Sequence, residues 1–240
     1  MNVHFVIHEA FEAPGAYLTW VAERGYRASF SRVYLHEPLP VDLSDIDLLV
    51  VLGGPQSPST TREECPHFDA AAECALIARA IAAGKWVIGV CLGAQLIGEA
   101  LGASFEHSPE KEIGKFPIRL TEAGKAHALL AGFGEVLEVG HWHSDMPGLT
   151  AQARVLASSE GCPRQIVEFG KRVYGFQCHM EFTHEVVELL IAASASELAG
   201  LGERRFVEQP AALRAHDYRE MNRKLSGFLD ALLKQPPAVR

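Results

Sequence analysis

Short, almost continuous apolar runs recur in the first hundred residues of the chain. They are VHFVIH (3–8), DLLVVL (47–52) and KWVIGV (85–90), and β-branched side chains make up much of each run. Strands that are buried on both faces of a parallel sheet have this composition. The pattern therefore predicts three buried strands.

Two stretches between these runs have a helical pattern instead. Residues 14–25 begin with Pro14 and end at Gly25, which are favoured at the start and just past the end of a helix. Residues 63–84 carry apolar side chains on one helical face. Strands that alternate with helices are typical of a parallel α/β sheet.

The middle of the chain changes to strands in close succession. The segments are EIGKFPIRL, EVLEVGHWH, ARVLAS, RQIVEFG and RVYGFQCH. Connections this short favour partly antiparallel pairing, because a parallel crossover needs a longer connection.

Helices are predicted again at the end of the chain. Thr183 is a suitable N-cap for a helix that runs to about Ala199, and a second helix is predicted from Pro210 to Leu233. Since no long linker rich in Gly, Ser or Pro divides the chain, we expect one α/β domain over residues 1–240.

Composition excludes several classes of partner. The chain has 22 basic and 30 acidic side chains, a net charge of −8, and no cluster of Lys and Arg, so a nucleic-acid partner is not expected. No apolar stretch reaches the roughly 18–20 residues that span a membrane, and the N-terminus lacks the pattern of a signal peptide. We therefore expect a cytoplasmic protein with reduced cysteines, since its five cysteines form no C-x-x-C pair.

One cysteine stands at the junction of a predicted strand and a predicted helix. In GVCLGAQLIGEALGA (89–103), Cys91 is flanked by Gly89 and Gly93. This is the spacing of a nucleophile elbow, in which small neighbours permit a strained turn that exposes the nucleophile. The helix N-terminus also favours a thiolate. The alternative is a structural cysteine buried in the core.

A cysteine nucleophile needs a base, and His179 is the best placed of eleven histidines. The strand-like segment RVYGFQCH ends at His179, and Glu181 follows two positions later, so both side chains would lie on one face of an extended chain. A carboxylate can orient an imidazole and stabilise its charged form. The alternative is a surface His and Glu at the end of a strand.

Metal and nucleotide motifs are incomplete. The segment HWHSD places His141, His143 and Asp145 in an H-x-H-x-D spacing, but Met146 stands where an adjoining histidine ligand would be needed. HEVVE (184–188) has Glu in place of the second histidine of a zincin helix. No phosphate-binding loop is present, so we expect no metal and no cofactor.

Three segments of the chain resemble, in their sequence and their order, one family, the class I (triad) glutamine amidotransferases. They are VVLGGPQSP (50–58), GVCLGAQLIGEALGA (89–103) and GFQCHMEF (175–182), with weaker likeness at KEIGKFPIRLT and HWHSD. Within the family, the chain is similar to stand-alone forms of the glutaminase part of GMP synthase. The resemblance implies a flavodoxin-like, three-layer α/β sandwich with a mostly parallel central sheet.

The resemblance also implies roles for individual residues. Cys91 matches the nucleophile, His179 the base and Glu181 the partner that orients it. The backbone N–H groups of Gly54 and Leu92 match the oxyanion hole.

Three further residues match positions that contact the substrate: Gln95, Ser144 and Asp145. The likeness is weaker at Ser144, which replaces a glycine. The usual His-Pro-Glu is His-Met-Glu in this chain, a change that keeps both catalytic side chains.

Three functions are compatible with these matches. The first is a glutaminase that forms a γ-glutamyl thioester and releases ammonia and glutamate. The second is a hydrolase of γ-glutamyl peptides or amides, and the third is an inactive binding or regulatory module. Because the chain lacks the S-G-G-x-D-S loop of the GMP synthase ATP domain, any ammonia-accepting synthetase is expected to be a separate chain.

Overall fold

A single mixed sheet organises the computed structural model, which describes residues 1–202 and 204–234. Its strands are β1 (Asn2–Ile7), β2 (Arg27–Arg32), β3 (Leu48–Val51), β4 (Trp86–Val90), β5 (Glu106–Leu120), β6 (Val136–Met146), β7 (Arg154–Ser158), β8 (Ile166–Gly170) and β9 (Val173–Phe176). The helices are α1 (Ala16–Glu23), α2 (Ala70–Ala82), α3 (Leu92–Ala100), α4 (Glu122–Lys125), α5 (His184–Ala193), α6 (Ala195–Leu201), α7 (Pro210–Ala215) and α8 (Arg219–Leu233).

The strand order is β2-β1-β3-β4-β9-β8-β7-β5-β6. Pairing is parallel from β2 through β9 and antiparallel from β9 through β6. The predicted α/β sandwich is confirmed, although its sheet is mixed: the closely spaced strands of the middle of the chain form the antiparallel half, as their short connections predicted.

Alternate residues of the parallel strands face two separate apolar layers, as the period of a strand requires. In β1, Phe5 packs with the residues of α1 and α8, whereas Val6 packs with those of α2 and α3. Val50 and Val51 of β3 divide in the same way. The sheet is thus covered on both faces, which explains the nearly continuous apolar runs of these strands.

Some element boundaries differ from the predictions. The helix expected over residues 63–84 begins only at Ala70, because Asp69 caps it by accepting a hydrogen bond from the Ala72 N–H at 3.0 Å. The helix capped by Thr183 is interrupted at Ser194. The last predicted helix is divided into α7 and α8, since the backbone of His216 is extended.

The edge strand β2 was missed because its sequence, RASFSR, contains no apolar run. Its first three residues are exposed, so it needs few apolar side chains. None of the described helices combines the length and the apolar character needed to cross a membrane.

The carboxyl ends of β1, β3, β4 and β9 lie along one edge of the parallel half of the sheet. Ligands of open α/β sheets bind outside this edge. The segments that follow these four strands therefore converge, and one of them is the turn from β4 to α3.

That turn has a strained backbone. Cys91 is its single residue, with φ 51° and ψ −110°. A Cβ atom on Gly93 would lie 2.0 Å from the carbonyl oxygen of Val51, and one on Gly89 would lie 2.3 Å from that of Gly93. Only glycine lets α3 start this close to β3 and β4, so the predicted elbow geometry is confirmed.

Gly93→Ala should therefore destabilise the fold. The added methyl group meets a backbone carbonyl that cannot move independently, and overpacking of this kind costs about 1–3 kcal/mol. Urea denaturation measures the loss of unfolding free energy.

Gly227→Ala is the matched control, because Gly227 lies inside α8 with nothing within 4 Å of the added Cβ. It should raise the unfolding free energy, by up to about 1 kcal/mol. Equal effects of the two substitutions would contradict the elbow argument.

Candidate active site

Cys91 lies at the N-terminus of α3 and lines a cavity of about 240 Å³. Its N–H donates to the carbonyl of Phe176 at 2.7 Å, which fixes the elbow to the end of β9. Its thiol is 3.7 Å from the carbonyl oxygen of Trp142. The side chain is only 6% exposed, so access to the sulfur is through the cavity.

His179 and Glu181 are brought to the same site by an irregular segment rather than by a strand. β9 ends at Phe176, and His179 exchanges two backbone hydrogen bonds with Gly140 on β6, at 2.7 and 2.9 Å. The imidazole Nδ1 lies 2.6 Å from Glu181 Oε1. Since a carboxylate only accepts, Nδ1 carries the proton of this bond.

Both side chains are buried, at 0% and 3% exposure, so the interpretation of His179 and Glu181 as a surface pair is wrong. The ring of Phe182 stacks on the imidazole at 4.4 Å between centroids. The ring orientation is therefore fixed from two sides, by the carboxylate and by the aromatic ring.

The electrostatics of His179 favour a proton on its ring. Burial opposes the charge, but the Glu181 carboxylate and the Cys91 thiol outweigh burial and raise the pKa of His179 well above its usual value. Nε2 has no partner at hydrogen-bonding geometry among the described residues. This nitrogen is thus available to exchange a proton with a group in the cavity.

Two backbone N–H groups are available beside the sulfur. Leu92 is the first residue of α3, where N–H groups have no partner within the helix. The Gly54 N–H donates to none of the described residues, and Gly54 lines the cavity. The two residues are close, because a Cβ on Gly54 would lie 3.1 Å from Leu92 Cδ2.

The three residues expected to contact a substrate also line this cavity. Gln95 is buried and donates to Gln177 Oε1 at 3.2 Å, while its own Oε1 has no partner among the described residues. Ser144 is exposed, and Asp145 Oδ1 lies 2.6 Å from His107 Nδ1. Asp145 therefore already has a basic partner at the rim.

Glu12 is a cavity residue that the sequence did not indicate. A Cβ on Gly53 would lie 2.6 Å from Glu12 Oε2 and 3.3 Å from His179 Cε1, so the carboxyl group is close to the imidazole. Burial raises the pKa of Glu12, whereas the charge of His179 opposes that increase. The loop after β1 has no motif that would single out this residue.

Two groups of metal-ligand type are present among the described residues. One comprises Glu112, His141 and His143, all buried, and the other comprises Glu9, Cys65 and His67. In each group a glutamine amide nitrogen, of Gln165 or Gln56, lies 2.7–3.4 Å from all three side chains. These amides already supply hydrogen-bond donors at the point where a cation would bind.

Glu112 explains why both histidines of HWHSD point inward. Its Oε2 lies 3.2 Å from His143 Nε2 and 3.6 Å from His141 Nδ1. His141 Nε2 lies 3.2 Å from the carbonyl oxygen of Phe116, and burial lowers its pKa to about 3. The network holds the segment that carries Trp142 and the rest of the cavity wall.

Three of the other four thiols are in environments that disfavour thiolate. Burial raises the pKa of Cys74 and of Cys162 to about 11, and it also raises the pKa of Cys178 well above its usual value. Cys65 is partly exposed but does not line the cavity that contains Cys91.

Comparisons with known proteins show similarity over most of the chain. The family model of glutamine amidotransferase class-I matches residues 16–193. The chain is 62% identical over 232 residues to the glutamine amidotransferase-like protein YfeJ of Salmonella typhimurium, with 97% of each chain covered. The crystal structure of SMU.1228c is 51% identical with a TM-score of 0.96, covering 98% of this chain and 100% of that chain.

A more distant relative is a glutamine-hydrolysing GMP synthase of Edwardsiella ictaluri. It is 34% identical over 143 residues, which are 57% of this chain and 25% of that protein. The chain therefore corresponds to only part of a GMP synthase.

A glutamine-like chloroketone should label Cys91 selectively. Its sulfur lines a cavity at the N-terminus of α3, whereas burial raises the pKa of Cys74, Cys162 and Cys178. Peptide mapping after treatment measures the site, and Cys91→Ser should abolish labelling. Preferential labelling of any other cysteine would contradict this assignment.

Proposed function

The chain belongs to the class I glutamine amidotransferase family, and from this premise we propose that it hydrolyses the side-chain amide of glutamine to glutamate and ammonia. The observation that carries the proposal is the series Glu181, His179 and Cys91, in which the carboxylate orients an imidazole that interacts with a thiol in a cavity.

In the first step, the Cys91 thiol transfers its proton to Nε2 of His179, and the sulfur attacks the carboxamide carbon of glutamine. The amide oxygen takes the electron pair and becomes an oxyanion. In this proposal the N–H groups of Gly54 and Leu92 bind this oxygen, and one such donor contributes about 3 kcal/mol to the transition state. Glu181 stabilises the imidazolium that results.

In the second step, the oxyanion collapses and the carbon–nitrogen bond breaks. The imidazolium of His179 gives its proton to the departing nitrogen, which leaves as ammonia, and a γ-glutamyl thioester remains on Cys91. A water molecule then gives a proton to His179 and attacks the thioester carbonyl. Collapse of this intermediate returns the proton to the sulfur and releases glutamate.

Substrate contacts in this proposal come from Gln95, Ser144 and Asp145. Gln95 is the best supported, since its buried Oε1 has no partner among the described residues and it lines the cavity together with Cys91. Ser144 and Asp145 also line the cavity, and in this proposal they hold the amino-acid end of the substrate.

We further propose that ammonia passes to a separate synthetase chain and that the protein functions in the cytoplasm as one domain. The five cysteines are free thiols, which are typical of proteins in the reducing cytoplasm, and this supports the proposed location. A γ-glutamyl peptide or amide hydrolase would use the same chemistry, and it would differ in the leaving group that the cavity accepts.

A substrate panel tests the reaction. Glutamate release should be fastest with glutamine and slower with γ-glutamyl peptides and γ-glutamyl amines.

His179→Ala should lower kcat by about 10⁴-fold or more, while Glu181→Gln should retain measurable turnover, because the carboxylate only orients and stabilises the base.

Both residues are buried, so these variants should also lose stability, and rates must be compared below their melting temperatures. His4→Ala is the matched control, since it removes another buried histidine of the sheet, bonded to Ser29 and Ser31 away from the cavity. It should keep wild-type turnover. Wild-type activity in His179→Ala would remove His179 from the mechanism, and a preference for γ-glutamyl peptides would identify the hydrolase instead.

Removal of metals should leave the glutaminase rate unchanged. The proposed steps use only protein groups, and glutamine amides already lie among both groups of metal-ligand side chains. Purification with excess EDTA, followed by elemental analysis and the glutamate-release assay, checks this expectation. Stoichiometric zinc that is lost together with activity would contradict it.

A further inference from the structure

A second buried pair of a histidine and a carboxylate lies behind the turn that carries Gly54. His8 follows β1 and is fully buried. Its Nε2 lies 2.8 Å from Glu73 Oε2 on α2, and its Nδ1 lies 2.9 Å from the carbonyl oxygen of Gly53. Neither the predicted triad nor the substrate contacts include this pair.

Both partners of the His8 ring are acceptors. A backbone carbonyl has no proton to donate, and an ionised carboxylate has none either. An imidazole that makes both hydrogen bonds at once must therefore carry protons on both nitrogens, which makes it an imidazolium.

The surroundings of His8 are consistent with this charge. Burial opposes it, but the Glu73 carboxylate, the bond to Gly53 and the carboxyl group of Glu12 outweigh burial and raise the pKa of His8. The Phe68 ring makes a T-shaped contact with the imidazole at 5.7 Å between centroids. A buried carboxylate such as Glu73 in turn needs a positive partner, because an unpaired buried charge is costly.

The hydrogen bond from His8 Nδ1 is accepted by the peptide group that joins Gly53 to Gly54, and this peptide carries one of the two proposed oxyanion donors. The carbonyl of Gly53 and the N–H of Gly54 belong to the same amide. A cation bonded to the carbonyl oxygen draws electron density from the nitrogen and makes the N–H a stronger donor, as in any hydrogen-bonded chain of peptide groups. The bond also fixes the plane of that amide, and thus the direction of the N–H.

We propose that His8, held in its charged form by Glu73, is a positioning residue that polarises the Gly53–Gly54 peptide and strengthens the oxyanion-hole donor at Gly54. This inference rests on the proposed function, because the Gly54 N–H acts on the oxyanion only if the amide of glutamine is attacked. The Glu73–His8 pair then strengthens the binding of the oxyanion, while the Glu181–His179 pair transfers the proton.

Glu73→Gln is the sharpest test, because it preserves the shape of the side chain and removes only its charge. His8 should lose its extra proton and bind Gly53 as a neutral ring. We expect kcat for glutamine to fall about tenfold with KM within about twofold, less than the roughly 10²–10³-fold loss caused by deleting an oxyanion donor. His8→Asn, which keeps one N–H donor without charge, should give a similar loss.

His4→Gln is the matched control, since His4 is a buried histidine of β1, the strand that precedes His8, and its partners are neutral serine hydroxyls. It should leave kcat unchanged. An unchanged kcat in a folded Glu73→Gln variant would overturn the inference. A loss of kcat/KM that comes entirely from a higher KM would overturn it as well.

Nitrogen NMR of histidine-labelled protein tests the charge without reference to activity. At neutral pH, His8 should show two protonated ring nitrogens in the wild type and one in Glu73→Gln. A neutral His8 in the wild type would overturn the inference even if the enzyme is active. Conversely, a wild type that hydrolyses no γ-glutamyl compound would refute the proposed function, whatever the state of His8.

Discussion

The site depends on one backbone constraint, the left-handed turn at Cys91 between β4 and α3. A residue with φ 51° is strained, and the strain is maintained because Gly93 lets the helix pack against the Val51 carbonyl while the Cys91 N–H is held by Phe176. The turn puts Cys91 at the N-terminus of α3 and on the wall of the cavity. Neither the proposed nucleophile nor the proposed oxyanion donor at Leu92 could occupy this place on a regular strand or helix.

Around this turn, the charged groups are arranged as buried pairs. Glu181 holds His179 and Glu73 holds His8, and all four side chains are at most 3% exposed. Burial of an ion pair seldom stabilises a fold, since desolvation offsets the attraction. Its benefit here is orientation, because each carboxylate fixes the plane of an imidazole that would otherwise rotate. Folding thus prepares the polar groups before substrate binds.

Local patterns account for most of the fold that could be predicted. Buried parallel strands are apolar on both faces, so β1, β3 and β4 were evident, and the G-x-C-x-G spacing located the elbow at Cys91. The edge strand β2 was missed because exposed residues need no apolar pattern. The interruptions at Ser194 and at residues 216–218 were missed because helical periodicity continues across them, while the ends of the helices are set by their packing against the sheet.

The sequence by itself determined which side chains are chemically reactive and where the chain must turn. Glycine spacing and the alternation of apolar and polar residues are local properties, so they can be seen in short segments. Only the tertiary structure decided which of these side chains meet. Glu12 and Glu73 carry no motif, and each lies beside a histidine that is distant in the chain, His179 and His8 respectively. Such pairs depend on strand order and on the convergence of loops at one sheet edge. These features arise from the packing of the whole chain, so no short segment encodes them.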